Sequence, residues 1–111
     1  MDSAKEDAKC IDGYKNFWCH RKNRIGGGVG ILTSEKLTVT QLTSHTTHTF
    51  SAVWILLHLL NVPVIVGCIY HPPNADNNAT LDYLSNTMLK LLQKRPNAHF
   101  IITGDLNHLP I

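Results

Sequence analysis

Charge is missing from the middle of this 111-residue sequence: from Leu37 to Ala75 there is no Asp, Glu, Lys or Arg. In a chain of otherwise soluble composition, that stretch reads as the sheet core of a domain, buried on both faces and joined by short polar turns. Cysteine is scarce. Cys10, Cys19 and Cys68 are odd in number, at spacings that fit neither a zinc site nor a disulfide framework, and no signal peptide precedes them; the expectation is a reduced, intracellular protein. Seven Gly and five Pro, with no repeat, are too few for a collagen or linker chain, and 43% apolar residues are too many for a disordered one. An unbroken apolar run is also lacking. Phe50–Tyr70 comes nearest, but His58, Asn61 and Pro63 interrupt it, and Val and Ile crowd its second half. Two strands joined at Leu60–Pro63 explain it better than a membrane span. The net charge of +2 argues by itself for neither nucleic acid nor a membrane surface.

The length allows one domain, or part of one. Asp2, Glu6, Asp7 and Asp12 make residues 1–12 acidic, whereas Lys15, Arg21, Lys22, Arg24 and Lys36 make residues 13–36 basic. Residues 1–10 read as a flexible N-terminal segment. Tyr14–His20, Val29–Thr33 and Leu37–Leu42 are strand candidates separated by a basic turn and by Ser34–Lys36, suggesting an antiparallel meander; Thr49–Leu59 and Val62–Tyr70 are longer and more apolar. His71–Asn78, with two prolines, is loop. Thr80–Lys94 is the strong helix: Leu81, Leu84, Met88, Leu91 and Leu92 form one stripe, Asn78 or Thr80 can cap it, and Asp82 falls in the expected first turn. Ala98–Thr103 is a buried strand. Strand, helix and strand in that order form a crossover unit with parallel strands. The fold class is therefore α/β (α+β): a meander followed by a strand-helix-strand unit. Tyr70 and Asp105 then leave their strands at one carboxyl edge, where open α/β sheets place ligands.

Asp105 and Asn107 bring a carboxylate and an amide to one point, suited to activating water and fixing a developing oxyanion, although a bare Asp-x-Asn also serves loops that bond their own backbone. Tyr70 can donate to a phosphate oxygen or simply pack under the following loop. Gly26–Gly28 lacks the residues of a phosphate cradle. Arg21, Lys22 and Arg24 form either a phosphate-contacting patch or a solvated turn. His45-x-x-His48 has no third ligand nearby, and His20, His58 and His99 read as structural; His108, beside the Asp105–Asn107 pair, is a secondary candidate.

Gly-Gly-Gly-Val-Gly-Ile at 26–31, Ile-Tyr-His-Pro-Pro at 69–73 and Ile-Ile-Thr-Gly-Asp-Leu-Asn-His at 101–108 resemble, in this order, the endonuclease/exonuclease/phosphatase superfamily. The nearest likeness is to the endonuclease domains of non-LTR (long interspersed element type) retrotransposon polyproteins. Ile-Asp-Gly-Tyr at 11–14 also resembles the Pro-Gly-Tyr found there, and the likeness covers residues 11–111. It implies a partial deoxyribonuclease I-like sandwich, DNA as partner, no membrane and no small-molecule cofactor. It also implies Mg2+ in the complete domain and a nuclear site of action. Tyr70 would contact the scissile phosphate, Asp105 would activate or orient the nucleophile, and Asn107 would assist it. The family's metal-binding Glu and its Ser-Asp-His segment have no counterpart within residues 1–111. The expectation is therefore a DNA-nicking domain fragment, inactive alone. The alternatives are a non-catalytic nucleic-acid-binding remnant and a phosphoesterase of the same superfamily acting on small substrates.

Overall fold

The computed structural model describes residues 11–19, 29–47, 50–59, 61–73 and 76–105. Its elements, in order, are β1 (Tyr14–Cys19), β2 (Val29–Ser34), β3 (Thr38–Thr46), β4 (Ser51–Leu59), β5 (Val62–Tyr70), α1 (Asn77–Lys94) and β6 (His99–Asp105). Content is mixed α and β, as expected. The apolar halves on either side of Asn61 pair antiparallel as β4 and β5, and no helix among the described residues is long and apolar enough to cross a membrane.

The meander is shorter than the sequence implies. Only β3, β4 and β5 run consecutively in one sheet, whose order β3-β4-β5-β6 is completed by the parallel pairing of β6 with β5. β1 and β2 form a separate antiparallel pair that packs against β4 and β5. The turn at Glu35–Leu37 therefore carries the chain from one sheet to the other, which local turn chemistry does not announce.

The uncharged block is likewise not buried throughout. β4 is enclosed at every position from Ser51 to Leu56, but β3 is largely exposed as an edge strand. Its Thr, Gln and Ser residues carry no formal charge yet hydrate well, so absence of charge alone does not mark a core. A register irregularity between Gln41 and Thr43 lets β3 run on to Thr46, four residues past the expected end.

On one face of the four-stranded sheet, Ala52, Trp54, Leu56, Ile65 and Ile69 pack against Leu84 and Leu91 of α1. Val53 and Ile55 alternate with them and are equally buried on the other face, towards the β1–β2 pair. The Trp54 indole lies across Gly67 on β5, where a Cβ would collide with the ring, and its N–H donates to the Tyr83 hydroxyl at 2.9 Å. Trp18 covers Gly30 in the same way in the smaller sheet.

Helix α1 starts three residues before the expected point. Asp76 caps it, its carboxylate accepting from the Asn78 N–H at 2.9 Å, and Asp82 falls beyond the first turn. The buried side of the helix is centred on Thr80, Leu84 and Leu91. Leu92, one residue and about 100° further round, is consequently 41% exposed instead of completing the stripe.

Candidate functional site

The last residues of three strands and the first of a fourth form one row across the carboxyl edge of the larger sheet: Thr46 pairs with Ser51, Ser51 with Tyr70, and Tyr70 with Asp105. Adjacent strands lie about 4.8 Å apart, so Tyr70 stands next to Asp105, with Ser51 about 10 Å and Thr46 about 14 Å along the row. Ser51 and Tyr70 alternate with Trp54 and Ile69, and so lie on the face away from α1.

Asp105 reaches this row because β6 runs two residues beyond the expected Thr103, through Gly104. Gly104 has φ +120°, and a Cβ there would collide with the Ile69 carbonyl oxygen. Only glycine allows β6 to lie so close to β5 at this point. One residue further on, the His71 N–H donates to the Asp105 carbonyl oxygen at 2.8 Å. The buried His71 backbone thereby ties the start of the His-Pro-Pro segment to the aspartate. The carboxylate itself is exposed and Tyr70 is half-buried.

Ser51 is fully buried, and its hydroxyl and that of Thr46 share a hydrogen bond of 3.1 Å. Neither residue stands out in the sequence. A Ser opening an apolar strand has no signature; only the pairing of β4 with both neighbours puts it next to Tyr70. Cys68, two residues before Tyr70 on β5, is partly buried, which pushes its thiol pKa up.

Tyr70 and Asp105 are thus brought together. Asn107, His108, Arg21, Lys22, Arg24, Gly26–Gly28, His20 and His48 lie outside the described residues. His58 and His99 lie in strands, as expected, but at their solvent-facing ends. His99 is exposed at the start of β6, and His58 is exposed near the end of β4, its Nε2 3.3 Å from the Thr40 hydroxyl. Both strands end in solvent there, so the rings have no interior to enter. His45 stacks on Phe50 and Tyr83, with centroids 4.9 and 4.7 Å apart.

The sequence profile described as "Endonuclease/Exonuclease/phosphatase family" matches residues 2–111. The chain belongs to that family. No curated protein and no solved structure matches it. Members of the endonuclease/exonuclease/phosphatase family hydrolyse phosphate esters and are generally metal-dependent, which makes the donor set of the row decisive for a cation. A hard divalent cation takes about six oxygen ligands and at least one or two carboxylates. Here Asp105 is the row's one carboxylate, the rest being neutral hydroxyls, and among the described residues no three His, Cys, Asp or Glu side chains converge. The described residues do not by themselves fit a resident Mg2+.

Proposed function

We propose that this chain carries part of the hydrolytic site of a DNA-nicking phosphodiesterase of retroelement type, acting in the nucleus, and that the 111 residues alone do not catalyse the reaction. The observation that supports this reading is the pairing of Tyr70 with Asp105 at the carboxyl edge, fixed by Gly104 and by the His71–Asp105 backbone hydrogen bond. In it, the Asp105 carboxylate accepts a proton from the water that attacks phosphorus, while the Tyr70 hydroxyl donates to a non-bridging phosphate oxygen as charge builds there. The phosphorus–oxygen bond to the leaving strand breaks, and that oxygen must gain a proton. Solvent water at the exposed Asp105 edge can supply that proton. In the complete domain, Mg2+ would neutralise phosphate charge.

The test has two parts. The purified 111-residue chain, given supercoiled plasmid and Mg2+, is expected to leave it intact. Robust nicking that chelator and Asp105→Ala both abolish would overturn the claim of inactivity. Joined in frame to the remaining strands of an active family member, the chain is expected to nick, and Asp105→Asn should slow that reaction by about 10²–10⁴-fold. A nicking chimera indifferent to Asp105→Asn would sink the assignment.

A further inference from the structure

A cleft of about 320 Å3 opens between the outer strand β3 and the later turns of α1. It lies on the helix-bearing face of the sheet, opposite Ser51 and Tyr70, and so is separate from the hydrolytic row.

Lys90 and Lys94, one helical turn apart and exposed, stand along one side. Helical side chains lean towards the N-terminus, so Lys94 reaches back towards Lys90. Thr87 on the helix and Thr43, which pairs with Trp54 on the helix-bearing face of β3, add hydroxyl donors, and none of the lining residues is acidic. β3 also ends the strand order, so no described strand occupies its outer edge. The floor is the buried Leu91. One end is closed by the stacked rings of His45 and Tyr83, and the Trp54 N–H holds the tyrosine hydroxyl from behind.

Two ammonium point charges with several neutral donors suit a phosphate, whose terminal oxygens outnumber those of a carboxylate. The negative end of α1 disfavours an anion over its last turn. The phosphate is therefore best placed over Thr87 and Lys90, with Lys94 bent back to it. A cavity of this size is at the lower end of small-ligand sites, and an aromatic wall suits a planar base. We propose that the cleft binds a nucleotide, its phosphate on Lys90 and Lys94 and its base against the His45–Tyr83 wall.

The nucleotide can be free or part of a strand. The full 111-residue chain, 15N-labelled, would be titrated with deoxyadenosine monophosphate, deoxyadenosine, inorganic phosphate and a short oligo(dA). The monophosphate should shift Ser44, His45, Tyr83, Thr87, Lys90 and Lys94 saturably. Deoxyadenosine and inorganic phosphate should each bind at least tenfold more weakly, and Lys90→Gln/Lys94→Gln should weaken the monophosphate at least tenfold. Both lysines are exposed, so an unchanged melting temperature separates lost binding from lost folding. Oligo(dA) binding at least tenfold tighter than the monophosphate on the same residues identifies a strand as the source; equal or weaker binding identifies the free nucleotide. Asp105→Asn should leave all of this unchanged, so failure here is distinguishable from failure of the hydrolytic reading. Absence of saturable shifts at millimolar monophosphate, shifts confined to the Tyr70–Asp105 edge, or indifference to the double substitution would overturn the proposal.

Discussion

At Gly104 the backbone adopts a conformation that L side chains rarely take, against the Ile69 carbonyl. Gly104→Ala should combine backbone strain with that collision and cost about 2 kcal/mol or more, read by chemical denaturation. If it unfolds no more easily than the parent, the close approach of β6 to β5 is wrong. Cys68 gives a second check. Its thiol is held above its ordinary pKa by burial, so it should alkylate more slowly than an unfolded cysteine at mildly alkaline pH. Between the unfolded and folded pKa values the unfolded state loses its proton first, so this group lowers stability as pH rises through that window. Stability that increased there on account of Cys68, judged against Cys68→Ser, would contradict the burial. Tyr70 and Asp105 were legible in the sequence because each closes an apolar strand beside a loop signal. Ser51 and Thr46 were not, because their importance comes from strand register, a non-local property.

The helix shows what periodicity reveals and what it hides. Its existence and its end at Lys94 follow from the leucine spacing and the following Pro96. Its start does not, since Asp76, Asn78 and Thr80 all have capping side chains and only the folded chain selects among them. Asp76→Ala should cost about 1 kcal/mol, lowering the melting temperature, whereas loss of an unused cap at Asn78 should cost less. The orientation of the helix is tested by a pair of truncations. Leu91→Ala empties a buried site and should cost about 2–5 kcal/mol, while Leu92→Ala, on the exposed flank, should stay within about 0.5 kcal/mol. Equal losses would mean that the buried side follows the leucine stripe. The stripe misleads because Thr80, fully buried beneath the cap with its hydroxyl donating to the Asp76 carbonyl at 3.3 Å, draws the packed side towards itself.

Across the whole molecule, β4 is the element enclosed on both sides, by α1 and by the β1–β2 pair. Amide hydrogen exchange should accordingly be slowest in β4 and β5 and faster in β1 and β2, since a two-stranded ribbon has little stability of its own. Uniform protection across both sheets would show instead that they open as one unit. The division into two sheets was hidden in the sequence because both halves of the supposed meander alternate alike. The tryptophan–glycine pairs bear on a related ambiguity. A strand shifted by one residue turns its apolar side outward and is rejected, but a shift by two restores the alternation and passes unnoticed. Sliding β5 by two against β4 would set Ile65 or Ile69 opposite Trp54 where Gly67 now lies, and an indole cannot lie flat over either. The bulky ring and the missing side chain thus work as key and slot, excluding the misaligned sheet that hydrophobic patterning alone would accept.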